Sequence, residues 1–261
     1  MRLQILVPQY KETDEIIKPL LDSIMIQQNV DLKNDVGVII CNDGSDVYLS
    51  DEFLNSYPFK IEYYKEPHRG VSGTRNACMD HATADYIMFC DADDMFCSVC
   101  GLFIIFSEMD IGFKTLSSKF MEESRISDGN GNMIPFYVNR EHDSTFVHGK
   151  IHNRKYLVAN KIRWNENLTI HEDSYFNVLC QVLADEMKYS DNVFYLWKWR
   201  DDSVCRHDPK YILKTYNNML DSNTALVTEL LRRGREDYAC TYVTNMIYEA
   251  YFTLNKQEWV D

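Results

Sequence analysis

The 261-residue chain is 45% hydrophobic and 26% charged, enough apolar material for a large core and too much for a chain that is disordered throughout. Its 27 Lys and Arg against 40 Asp and Glu leave a net charge of −13, which excludes a general nucleic-acid binder of the usual basic kind. The acidity is uneven, with eight basic and seventeen acidic side chains in the first hundred residues.

The opening Met1-Arg2-Leu3-Gln4-Ile5-Leu6-Val7-Pro8 has too short an apolar run for a signal peptide, and no stretch reaches the ~18 apolar residues of a membrane span. Without an export signal, the eight Cys read as reduced thiols in a cytoplasmic protein, with peripheral membrane association left open. Cys97-Ser98-Val99-Cys100 is a lone pair lacking the partners of a zinc site and is read as structural.

Four strand-length apolar runs, at 3–7, 36–41, 61–64 and 86–90, alternate with helix-like stretches at 14–27 and 71–81. That order implies a parallel sheet covered by helices, with ligands collecting beyond the carboxyl ends of the strands. Three unusual loops fall at those ends: Pro8-Gln9-Tyr10-Lys11-Glu12, Asn42-Asp43-Gly44-Ser45-Asp46 and Asp91-Ala92-Asp93-Asp94. Beyond residue 94 the pattern becomes mixed. The run 102–106 is a strand or a turn of buried helix, and extended stretches at 114–121 and 133–138 are joined by hairpin-turn residues, Asp128-Gly129-Asn130-Gly131-Asn132. A helix from Glu172 to about 183 and a strand near 193–197 follow. The last fifty residues read as two amphipathic helices around Arg232-Arg233-Gly234-Arg235, packing on the core or offering a homo-oligomer surface.

Three carboxylates within Asp91-Ala92-Asp93-Asp94 either form an acidic turn capping the next helix or offer hard oxygen ligands to a divalent cation. His68-Arg69-Gly70-Val71-Ser72-Gly73-Thr74-Arg75-Asn76 supplies two Arg and a helix N-terminus, which suit a diphosphate. It is not the dinucleotide fingerprint, because a third glycine is missing and the loop does not follow the first strand.

Taken in order, these segments resemble family 2 of the inverting glycosyltransferases, with the GT-A fold: a Rossmann-like, mostly parallel α/β sheet flanked by helices. The resemblance runs through Pro8-Gln9-Tyr10-Lys11, residues 38–46, 70–76 and 85–94. It continues more loosely through His148-Gly149-Lys150, Glu172-Asp173 and Trp197-Lys198-Trp199-Arg200-Asp201-Asp202-Ser203. It implies a nucleotide-sugar-binding half at 1–95, an acceptor-binding half at 96–208 and a C-terminal helical hairpin at 209–261.

The resemblance also implies roles. Pro8, Tyr10 and Glu12 would line the nucleotide pocket and Asp43 would accept the uracil imide proton. Arg75 would face the diphosphate, and Asp91 with Ala92 the ribose or sugar. Asp93 would be the ligand of Mn²⁺ or Mg²⁺, joined by His207. Asp173 would be the general base and Glu172 its orienting partner. Lys11 and His68 stand where the family commonly has Asn, so contacts made by those side chains do not transfer. The activity implied is metal-dependent, inverting transfer of a sugar from a UDP-sugar to an acceptor hydroxyl, in surface polysaccharide or glycoconjugate synthesis. The alternatives are a nucleotidyltransferase, which would want a Gly-rich basic loop after the first strand, and a non-catalytic nucleotide-sugar-binding module.

Overall fold

The computed structural model describes residues 1–143, 145–200 and 211–254. The N-terminal elements are β1 (Leu3–Gln9), α1 (Asp14–Met25), the short helix α2 (Leu32–Asp35), β2 (Val36–Asp43), the short helix α3 (Asp51–Leu54), β3 (Lys60–Glu66), α4 (Gly70–His81) and β4 (Tyr86–Phe89). Next come β5 (Met95–Phe96), α5 (Gly101–Ile111), β6 (Thr115–Ser127), β7 (Met133–Arg140), β8 (Lys150–Asn153) and α6 (Arg154–Ala159). The chain ends in α7 (Glu172–Ala184), β9 (Lys188–Trp197), α8 (Tyr211–Arg232) and α9 (Glu236–Leu254).

Among the described residues nine strands join one sheet, in the order β3-β2-β1-β4-β8-β6-β9-β5, with β7 paired to β6 outside this path. The β3-β2-β1-β4 portion is parallel, as the alternation of strands and helices dictates. β8 then enters antiparallel to β4, and β6 antiparallel to β8. A single sheet therefore crosses the expected boundary at residue 95.

The period of two along the inner strands divides the core. Leu3, Ile5 and Val7 of β1, with Val36, Val38 and Ile40 of β2, face the cluster that includes α1 and α5. Leu6, Ile39 and Cys41 point to the opposite cluster, built with α4, α7 and parts of α8. Strands buried on both faces read as continuous apolar runs, which explains why β1, β2 and β4 were legible, whereas the half-buried edge strand β3 was read from its short run at 61–64.

The run 102–106 lies in helix α5 rather than a strand. Its apolar residues fill the space between sheet and solvent, so burial and not β-propensity governs them. The two-residue β5, the short β8 and α6 carried no periodicity long enough to be read. The hairpin at 128–132 forms as expected: Asp128 Oδ1 accepts from the backbone N–H groups of Asn130 and Asn132, at 2.7 and 3.1 Å. The C-terminal helices form too. α8 packs against α7, and α9 against α8. Among the described residues no helix is long and apolar enough to cross a membrane, and the seven described cysteines are free.

Candidate active site

The carboxyl ends of β1, β2 and β4 open on one edge of the sheet, and α4 and α7 bring their first turns to it. Arg75, on the second turn of α4, is the hub. Its NH1 donates to Asp173 Oδ1 at 2.6 Å and to Glu172 Oε1 at 3.1 Å, while NH2 donates to Asp91 Oδ1 at 3.0 Å. The guanidinium also lies 4.5 Å above the Trp164 ring. The residue is only 3% exposed.

Arg75, expected to face a diphosphate, is paired here with three carboxylates of the chain itself. Three carboxylates arriving from α7 and the β4 loop leave a buried cation no lower-energy orientation than toward them, because an unpaired charge in the interior is costly. Arg75 thus ties Glu172 and Asp173, nearly one hundred residues away in sequence, to the acidic loop after β4.

Glu172 and Asp173 occupy the first turn of α7, where the positive end of the helix dipole favours carboxylates. The residue before them, His171, takes a left-handed conformation with φ 63° and ψ 16°. Asp173 Oδ2 accepts from the Val147 backbone N–H at 3.0 Å. Burial and the neighbouring Asp173 push Glu172 up to about 7, against the pull of Arg75. Burial also raises Asp173, again opposed by Arg75.

In the β4 loop the three Asp side chains diverge. Asp91 turns to Arg75. Asp94 is 1% exposed and points inward, accepting from the Tyr195 hydroxyl at 2.5 Å and the Lys198 N–H at 2.9 Å. Asp93 meets Arg200 at 3.2 Å, and Arg200 also reaches Glu12 at 3.6 Å. Burial and Asp91 hold Asp93 above the usual carboxylate range although Arg200 opposes them. Ala92 is buried within the loop.

Ligand atoms of Asp91, Asp94 and His148 lie within 4.8 Å of one another. Asp93, the expected ligand, is outside that group. Asp94 is sequestered by Tyr195 and Lys198, so it anchors the loop to β9. Two guanidiniums, of Arg75 and Arg200, meet this loop, and its carboxylate oxygens are a donor set that suits a hard divalent cation. His207 lies outside the described residues.

At the β1 and β2 ends, Asp43 is almost fully covered. Its Oδ1 accepts from the Arg69 N–H at 2.7 Å and its Oδ2 lies 2.9 Å from His68 Nδ1. The His68 ring rests on Tyr10, with centroids 5.1 Å apart, and Tyr10 is 43% exposed. Lys11 also lies over the Tyr10 ring, its Nζ 5.1 Å from the centroid. The two positions where the resemblance fails thus both touch Tyr10. Gly44 makes the tight turn between these loops with φ +69°, and a Cβ there would lie 2.6 Å from the His68 backbone nitrogen. Glu12 folds back on its own loop, Oε2 accepting from the Tyr10 N–H at 2.8 Å. Pro8 is half-buried at the end of β1.

Residues 4–97 match the sequence profile described as glycosyl transferase family 2. Over this segment, less than half of the chain, the sequence is similar to that family. Its GT-A fold is shared with solved structures of low identity. One is S. aureus TarS 1–349 in complex with UDP-GlcNAc, 19% identical with a TM-score of 0.67, the match covering 95% of this chain and 72% of that one. A second structure of TarS 1–349 gives 0.62 at 19% identity, covering 88% of this chain and 66% of that one. The mannosyltransferase PcManGT from Pyrobaculum calidifontis, in complex with GDP-Man and Mn²⁺, gives 0.56 at 14% identity, covering 98% and 81%. Against the longer TarS chain the match spans 43% of its length. No curated protein sequence matches significantly.

Several residues of this site were not singled out from sequence. Trp164 carries the Arg75 guanidinium and stacks on Phe176, with centroids 4.1 Å apart. Tyr195 fixes Asp94. Buried Lys150 donates to the Phe146 carbonyl and Asn177 Nδ2 donates to the same oxygen at 2.8 Å, holding the loop whose Val147 N–H meets Asp173. A buried Trp or Lys has no local sequence signature. The Lys in His148-Gly149-Lys150 was the nearest available signal.

Proposed function

We propose that the chain is a metal-dependent inverting glycosyltransferase that moves a sugar from a UDP-sugar to an acceptor hydroxyl. The observation that carries this reading is the Arg75 clamp, which sets a proton-accepting carboxylate pair beside the acidic loop at the end of β4. A binding module has no need of two carboxylates whose proton affinity is raised by burial. In support, neighbours of the same fold hold UDP-GlcNAc, or GDP-Man with Mn²⁺.

Tyr10 offers an aromatic face to the nucleobase, and Asp43, as an acceptor, selects a ring N–H such as that of uracil. Pro8 and Glu12 shape the loop that carries Tyr10, and Asp91 with Ala92 borders the ribose and sugar. Asp173 takes the acceptor hydroxyl proton as the new bond to the anomeric carbon forms, and the bond to the diphosphate breaks on the opposite face. Glu172 shares Arg75 with Asp173 and keeps its carboxylate oriented. Mn²⁺ or Mg²⁺ held by Asp93 would neutralise charge developing on the leaving diphosphate. The acceptor is a carbohydrate or glycoconjugate of the kind used in surface polysaccharide synthesis, reached from the cytoplasm.

UDP release from a panel of UDP-sugars in the presence of Mn²⁺ tests the reading. Asp173→Asn should lower turnover by about 10²–10⁴-fold, the usual worth of a general base, with UDP binding retained. Asp93→Ala should abolish the heat of Mn²⁺ binding in calorimetry. Full turnover in Asp173→Asn would remove the base assignment.

A further inference from the structure

The two carboxylates of α7 are aimed by a backbone conformation that the chain around them does not favour by itself. His171 has φ 63° and ψ 16°, and no side-chain hydrogen bond caps the helix it precedes. A side chain with a Cβ adopts this region only when its surroundings hold it there. The helix cannot supply the whole of that hold: the His171 carbonyl accepts from the Tyr175 N–H at 3.2 Å, the ordinary first bond of α7. A second donor reaches the same oxygen from outside. The hydroxyl of Ser222, on α8, donates to it at 2.8 Å across 51 residues of sequence. Ser222 is 2% exposed and, by its i, i+4, i+8 spacing, shares a face of α8 with the buried Leu226 and Leu230.

We propose that Ser222 is a positioning residue for the Glu172–Asp173 pair, and that α8 is thereby part of the active site rather than an appendage to it. The inference rests on the assignment of Asp173 as the base. Its mechanism is geometric. The hydroxyl fixes the carbonyl at which the chain turns into α7, so the next two residues leave that turn in the orientation that brings both carboxylates to Arg75. Without the hydroxyl, His171 relaxes toward more favourable φ and ψ, and the first turn of α7 rotates or frays. Asp173 then departs from the line of attack, where displacements of about 1 Å are costly to rate. The hydroxyl of Ser222 is hydrogen-bonded to the His171 carbonyl and not to the loops at the ends of β1 and β2, which therefore keep their arrangement.

The experiment measures UDP release with Mn²⁺ from whichever of UDP-glucose, UDP-galactose and UDP-N-acetylglucosamine turns over fastest, together with the thermal midpoint of each variant. Ser222→Ala should lower kcat about tenfold, the effect of about 1.4 kcal/mol on a barrier, with KM for the donor unchanged. Ser222→Thr, which keeps the hydroxyl, should restore kcat. Adding His171→Gly to Ser222→Ala should also recover it in part, because glycine takes positive φ without a steric cost. The proposal is overturned if Ser222→Ala keeps kcat within twofold of the parent. It is equally overturned if kcat is lost only in step with the folded fraction, or if the Thr variant is as slow as the Ala variant. Asp173→Asn, run alongside, separates the two levels: full turnover in that variant defeats the base assignment and the brace with it, whereas an inactive Asp173→Asn beside a fully active Ser222→Ala defeats the brace alone. Absence of UDP release from all three donors would defeat the transferase reading itself.

Discussion

Replacing Arg75 by Met is the most direct probe of the clamp. Methionine retains much of the volume and removes the cation, so Glu172 and Asp173 are left facing each other in a site where their side chains are only 13% and 16% exposed. Breaking a buried pair by deleting one partner costs about 3–5 kcal/mol, mainly for the charge left uncompensated. Loss of the guanidinium above Trp164 adds about 1 kcal/mol. Asp91 contributes little, being 34% exposed and screened by solvent. A net cost of about 5 kcal/mol at pH 8 corresponds to a fall in melting temperature on the order of 10–20 °C for a chain of this size.

The pH dependence gives the test its edge. Arg75 lowers the proton affinity of both carboxylates. Its stabilising contribution is therefore complete where they are ionised and is lost as pH falls through their titration, which for Glu172 lies at about 7. Urea denaturation at pH 8 and pH 5.5 should show a clearly smaller deficit for Arg75→Met at the lower pH. A deficit below about 1 kcal/mol at pH 8, or one equal at both pH values, would refute the view of Arg75 as a charge clamp.

Two other outcomes follow from the same geometry. Because burial and Asp173 raise Glu172 to about 7, turnover should climb as pH is raised through neutrality and the pair sheds its second proton. In Glu172→Gln the midpoint of that climb should move to lower pH, and an unmoved midpoint would separate Glu172 from the titration. Gly44→Ala places a side chain at φ +69°, with its Cβ 2.6 Å from the His68 backbone. It should cost at least about 1–2 kcal/mol and weaken UDP binding by displacing His68 from Asp43, both readable from melting curves with and without UDP.

What the sequence determined by itself was the parallel portion of the sheet and the edge where its loops gather. Strands buried on both faces are written as unbroken apolar runs, and the turns at their ends are written in Asp, Asn, Gly and Pro, so β1, β2, β4 and the loops at Asp43 and Asp91 were legible locally. Residues with no local pattern were not. The short β8, the buried Lys150 and the stacked Trp164 are defined by what they pack against. The tertiary structure alone revealed the partners of Arg75: its sequence neighbourhood suits an anion from outside the protein, and the fold supplies three from within. It also decided that Ser222, one small polar residue on an amphipathic helix, reaches the carbonyl that begins α7. Both outcomes depend on distances between segments far apart in the chain, and local periodicity carries no record of those distances.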